Sequence, residues 1–166
     1  MTQVKKTELM HELVTSIKLF QDSVDRFDSA AADYLSVNNT DLRCLTALYD
    51  LGPLLASQVA QVLGLTKGAI TAALNRLEEA GYAKRHVNSN DGRSFRIELT
   101  AVGKAEITAI WSPIRINGRE LMDQFSPAEL RVLNRFFMHS IELHNLYFNE
   151  LKSEATVLGG RAGVVS

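Results

Sequence analysis

Lys67, Gly68, Thr71, Ala72, Asn75 and Arg76 recur at spacings that a helix would bring to one face. They offer hydroxyl, carboxamide and cationic groups, interleaved with small residues that let a backbone approach closely. Donors of this kind suit phosphate oxygens. An asparagine can bond adenine through both amide atoms, an arginine suits guanine or phosphate, and methyl groups pack against thymine. Arg93 and Ser94 follow in a polar turn, where a cationic tip suits a narrow minor groove in which A·T-rich sequence concentrates negative potential. Asp91 stands two residues before Arg93, placed to hold its guanidinium by a charge-assisted bond. Ser57, Lys84 and Arg85 add donors for phosphates. For Arg76 the structural alternative is a surface pair with Glu78 or Glu79, which also lie near Lys84.

The elements that must position these groups are legible on either side. Residues 57–63 read as a short helix with Val59, Ala60 and Leu63 inward, closed by Gly64. Leu65 is expected to be buried, and Thr66 to cap a second helix over about residues 67–80. Ile70, Leu74 and Leu77 form the apolar face of that helix. After Gly81, residues 82–87 and the alternating segment 94–99 flank Asn88-Ser89-Asn90-Asp91-Gly92, a cluster of turn formers, so a hairpin is expected. Phe95, Ile97 and Leu99 would share one of its faces, Arg96 and Glu98 the other, with Arg93 at the tip. The fold class is mainly α with a small β-wing: a winged helix-turn-helix carried between long terminal helices.

The chain resembles the MarR-type (multiple antibiotic resistance regulator) family of winged-helix transcription factors. The resemblance lies in the helix-turn-helix of residues 57–80, the link Leu77-Glu78-Glu79-Ala80-Gly81-Tyr82, the wing signature Asp91-Gly92-Arg93-Ser94, and Leu99-Thr100-Ala101-Val102-Gly103. It is strongest over residues 39–104. Gly92 departs from the pattern, which often has a second basic residue there. The resemblance implies duplex DNA as partner, a homodimer, and action as a repressor.

Composition fits that reading. With 166 residues and 46% hydrophobic content the chain can bury one substantial core. Its net charge of −1 hides a gradient: residues 67–104 carry seven Lys or Arg against four Asp or Glu, the remainder eleven against fifteen. The single cysteine, Cys44, excludes an internal disulfide; beside Leu45 and Leu48 it reads as an inert, partly buried thiol rather than a redox sensor. Lys5, Lys6, Glu8 and Glu12 interrupt any leader-like apolar run, and no stretch is long enough to span a membrane, so a cytoplasmic location is expected. Phosphate loops, HExxH, a nucleophile elbow and paired cysteines are absent, which argues against an enzyme. No cofactor is expected. His139, Glu142 and His144 lack a metal-binding spacing, because i to i+5 does not place two imidazoles on one helix face.

Three regions are expected: helical dimerisation segments at residues 1–36 and 104–154, the winged helix-turn-helix at 39–103, and a mobile tail at 155–166. Leu9, Leu13, Ile17, Phe20, Val24, Phe27, Ala31 and Tyr34 form an apolar stripe on a helix of roughly thirty residues, about 45 Å long. Thr100 to about Gln124 reads as a helix bent at Pro113, a candidate hinge. Ser126-Pro127-Ala128-Glu129 starts another, which carries Leu130, Leu133, Phe137, Ile141 and Phe148 to about Ser153. Interlocking with a second subunit would bury both stripes and demand a pseudo-palindromic site with half-sites about 34 Å apart. The alternative is that they pack within one monomer. The resemblance further implies a small aromatic or anionic effector, for which Phe20, Phe27, Tyr49, Trp111 and Arg115 are candidate lining residues. The rival function is a winged helix that binds protein instead of DNA, distinguished by a shallower salt dependence.

Overall fold

A computed structural model describes residues 2–87 and 95–162. Its first helix, α1 (Thr2–Tyr34), is covered by the rest of the chain only near its C-terminal end, where Ala31, Ala32 and the following Leu35 are buried. Tyr34, expected to close the inward stripe, is instead 68% exposed. The chain leaves the helix there through Ser36, whose φ of 55° turns the backbone so that Leu35 takes the inward place.

Asn38 opens α2 (Asn39–Leu51) by accepting the Asp41 backbone N–H on its Oδ1 at 2.9 Å. Leu42, Cys44, Leu45 and Leu48 of α2 then enter the core. A strand of two residues follows, β1 (Leu54–Leu55), which the sequence does not announce. It leads into α3 (Ala56–Leu63) and α4 (Lys67–Glu79), the helix-turn-helix. Their turn is fixed by Gly64, in the left-handed region at φ 64°, with the Leu65 N–H reaching back to Ala60 O at 3.1 Å. Arg43 of α2 donates to Leu63 O at 3.0 Å, placing a cation on the C-terminal carbonyls of α3. Thr66 caps α4 through Ala69 N–H, as expected. Leu65 is half-buried rather than buried, since its turn lies at the rim.

Strands β2 (Ala83–Val87) and β3 (Phe95–Leu99) pair antiparallel with Ala83 opposite Leu99 and Arg85 opposite Ile97. β1 adds to the far edge of β3, giving the order β1-β3-β2. Of the three expected inward residues of β3, Ile97 is buried, Leu99 half-buried and Phe95 exposed, because β3 runs off the core toward its N-terminal end. Val59, Ile70, Leu74, Leu77, Ile97 and Ile107 form the centre of the core.

Helix α5 (Ala101–Met122) is bound to the strands at its start. Thr100 Oγ1 accepts Gly103 N–H at 3.0 Å and donates to Gly81 O at 2.7 Å, while Thr100 N–H bonds Tyr82 O at 2.9 Å. A side chain at Gly103 would place its Cβ 2.1 Å from Tyr82 O. The chain divides into two compact units at Pro113, residues 1–113 and 114–166, so α1 groups with the winged helix rather than with the C-terminal segment.

The second unit is built on α6 (Pro127–Ala162). Ser126 and Glu129 form the expected capping box: Glu129 Oε2 accepts Ser126 N–H at 2.8 Å, and Ser126 Oγ accepts Glu129 N–H at 3.3 Å. No residue from 114 to 154 is buried. Residues 155–166, expected as a mobile tail, are helical to Ala162 in the described part.

Candidate nucleic-acid interface

With Ile70, Ala73, Leu74 and Leu77 of α4 turned into the core, Lys67, Gly68, Thr71, Ala72, Asn75 and Arg76 are all exposed, together with Ser57 at the start of α3. Thr71 Oγ1 donates to Lys67 O at 2.9 Å, so its lone pairs face outward as acceptors. Lys67, in the first turn, leaves the ammonium and the small Gly68 side by side.

Arg76 is held in a way that neither its neighbours nor its position announce. Its Nε and one terminal nitrogen donate to Asp41 Oδ2 and Oδ1 at 2.9 and 2.6 Å, a bidentate pair across α2 and α4. The Asp41 side chain is 3% exposed and that of Arg76 46%, so one edge of the guanidinium is anchored and the other faces solvent. Asp41's hydrogen bond holds the Arg76 proton more firmly than usual. Its ion pair is thus with Asp41, where the structural alternative placed Glu78 or Glu79. A cleft of about 760 Å³ opens beside the pair, lined by Ser29, Asp33, Asn38, Thr40, Ala72 and Arg76. The only sequence signal for Asp41 is its place three residues after the cap Asn38, which marks a helix start and says nothing of Arg76.

Arg85 and Lys84 part company by strand alternation. Arg85 shares the face of buried Ala83, toward α4, where it bonds Glu78 Oε2 at 2.9 Å and Asn75 Oδ1 at 2.6 Å. Lys84 lies on the other face and pairs with Glu98 at 3.0 Å, as does His86 Nε2 at 2.7 Å. Lys84 and His86 hold the Glu98 carboxyl below its ordinary range. Glu78, near Lys84 in the sequence, pairs with Arg85 instead. Asp91, Arg93 and Ser94 lie outside the described residues.

Of the five candidate effector-lining residues, Phe20, Phe27, Tyr49 and Trp111 lie in the first unit and Arg115 in the second. Phe27 and Trp111 stack with centroids 5.2 Å apart, but Phe20 is 60% exposed on α1. Tyr49 borders a separate cleft with Pro53 and Lys104, and Arg115 belongs to the second unit. Of the five, only Trp111 lines a cleft of about 340 Å³ whose other residues include Asp28, Arg43, Thr46, Asp50 and Leu63. Asp28 Oδ1 and Trp111 Nε1 are buried there without a hydrogen-bond partner. Burial first, then the charge of Asp25, raises the Asp28 carboxyl above its ordinary value of 3.8. A raised value means that ionising Asp28 costs the folded state stability. That cost is absent below the ordinary value and builds as pH rises through the shifted one. Asp28→Asn is accordingly expected to raise the thermal midpoint at pH 7, with the gain shrinking as the pH is lowered toward 4; an equal gain at both pH values would contradict it.

Cys44 is fully buried, not partly, and burial pushes its thiol up to about 11. Among the described residues, no helix is long and apolar enough to cross a membrane.

A capped helix-turn-helix, a polar outer helix face and a three-stranded wing base define a winged-helix fold. Residues 35–94 match the MarR family. The chain is 29% identical over 141 residues to the HTH-type transcriptional regulator YcgE of Bacillus subtilis, covering 83% of this chain and 92% of that one. It is 33% identical over 103 residues to the HTH-type transcriptional regulator PecS of Dickeya dadantii, covering 62% and 60% respectively. Its fold matches the Staphylococcus aureus MepR F27L mutant bound to an oligodeoxyribonucleotide, with a TM-score of 0.55, 20% identity, and coverage of 78% and 96%. The match over residues 35–94 and these relatives make the chain similar to MarR-family and HTH-type transcriptional regulators.

Proposed function

We propose that this chain acts as a cytoplasmic homodimeric repressor that lays α4 of each subunit in the major groove of a pseudo-palindromic operator and is released by a small ligand. The observation that carries the dimer is an uncovered apolar surface. Leu9, Leu13 and Phe20 of α1 are between 49% and 60% exposed, and Phe137, Ile141 and Phe148 of α6 between 49% and 55%. A second copy supplies the missing cover, since both stripes then serve an isologous interface, and so large an apolar area is not left to water. Two subunits would present two α4 helices at half-sites about 34 Å apart.

Lys67, Thr71, Ala72 and Asn75 supply the base and phosphate contacts in this reading. Ser57, Gly68, the Thr66 cap and the outer edge of Arg76 support the backbone approach, and the wing residues Arg93 and Ser94 the minor groove. The oligodeoxyribonucleotide in the MepR structure supports DNA as the partner. The effector, a small aromatic or anionic molecule, is assigned to the cleft of Asp28, Arg43 and Trp111. There an indole N–H and a cation would meet an anion, and the unpaired Asp28 carboxyl a donor. Fluorescence anisotropy with a duplex from upstream of its own gene and a scrambled control, at two salt concentrations, tests the reading. Tighter, salt-sensitive binding to the upstream duplex is expected. No binding to either duplex at low salt would favour a protein-binding winged helix.

A further inference from the structure

Asn75 is the side chain of α4 best suited to read a base, and half of its carboxamide is already engaged. Arg85, directed toward α4 by the alternation of β2, spans Asn75 and Glu78, which lie i and i+3 on the helix. One terminal nitrogen donates to Asn75 Oδ1 at 2.6 Å, the other pairs with Glu78 Oε2 at 2.9 Å. A guanidinium carries donors only, so the amide atom that faces it is the carbonyl oxygen, and flipping the amide would set N–H against N–H. Glu78 neutralises Arg85 and keeps it from swinging away to a phosphate. The fork is planar and stiff, so both bonds hold together.

We propose that Arg85 fixes the Asn75 carboxamide with its NH2 group outward, so that α4 reads guanine, a base presenting two acceptors in the major groove, instead of adenine. Adenine recognition by asparagine needs Oδ1 to accept from N6 while Nδ2 donates to N7. With Oδ1 held by a charged donor, the accepting half of that pair is weakened. Guanine offers N7 and O6, both acceptors, and asks of Asn75 only the hydrogens it has left. Arg85 is thus a positioning residue, acting on base choice from the strand behind the helix. This inference rests on the docking of α4 in the major groove proposed above.

The test is selection from a random-sequence duplex pool by the full chain, its Asn75→Ala variant and its Arg85→Leu and Arg85→Lys variants, each checked for folding by a thermal melt. Asn75→Ala is expected to erase preference at one base pair per half-site, and that base is guanine for the unaltered chain. Arg85→Leu should shift the same position toward adenine by about tenfold or more, the scale of one well-made base contact. Arg85→Lys, which retains a donor for Oδ1, should keep guanine. Adenine at the Asn75-dependent position of the unaltered chain overturns the inference, as does guanine persisting in Arg85→Leu, and either leaves α4 docking intact. Selection of a motif that Asn75→Ala does not change overturns it too. Failure of the unaltered chain to enrich any sequence removes the docking itself.

Discussion

Gly103→Ala is expected to lower the thermal midpoint by roughly 10 °C. The added Cβ would lie 2.1 Å from Tyr82 O and 2.9 Å from its carbonyl carbon, both backbone atoms that no rotamer change can move aside. Relief requires separating α5 from the turn before β2. That movement breaks the 2.9 Å bond from Thr100 N–H to Tyr82 O and the 2.7 Å bond from Thr100 Oγ1 to Gly81 O. It also disturbs the 3.2 Å bond by which the Tyr82 hydroxyl holds Leu35 O at the end of α1. Overpacking with loss of backbone hydrogen bonds costs about 3 kcal/mol. Differential scanning calorimetry checks it, and an unchanged midpoint would mean that this close approach does not exist in solution. The leucine-threonine-x-x-glycine pattern that ends the wing thereby acquires a physical reason: threonine caps the helix, and glycine three residues later admits the carbonyl to which that cap is bound.

The second large effect is on assembly. Phe137→Glu is expected to give a monomer in sedimentation velocity and to weaken operator binding by at least about a hundredfold, the advantage of linking two half-site contacts. Phe137 is 49% exposed and lies on the uncovered face of α6. In an isologous interface the substitution occurs twice, so two carboxylates would have to be buried without partners. Its effect is confined to the second unit, and the helix content measured by circular dichroism should remain. A dimer that persists would exclude this face of α6 from the subunit interface.

The helix-turn-helix is legible because each of its signals is local. Gly64 turns, Thr66 caps, and Ile70, Leu74 and Leu77 repeat at the helical period within a span that one helix covers. What stays hidden depends on contacts between distant segments. Asp41 and Arg76 are 35 residues apart, and an aspartate in the first turn of a helix already has a sufficient local reason to be there. β1 is two residues long, and its pairing of Leu54 with Ile97 cannot be inferred from either partner. The basic run before the wing marks Arg85 as a phosphate donor and gives no sign of its bonds to Asn75 and Glu78. The same alternation that placed Phe95, Ile97 and Leu99 on one face also sends Arg85 to the α4 side, a deduction that needs only Ala83 beside it. The cleft beside Trp111 is distinguished by the unpaired polar atoms Asp28 Oδ1 and Trp111 Nε1, which the aromatic pattern of the sequence does not signal.

Arg76 faces Asp41, Arg85 faces Glu78 and Lys84 faces Glu98, so three cations of the winged-helix unit carry their own counter-charge. A count of basic residues therefore overstates the pull this surface exerts on random phosphate. Within a genome that is almost entirely decoy, a protein with muted general attraction spends less of its population on the wrong sequence. In the proposed dimer, selectivity then rests correspondingly more on the fit of two helices to the right sequence.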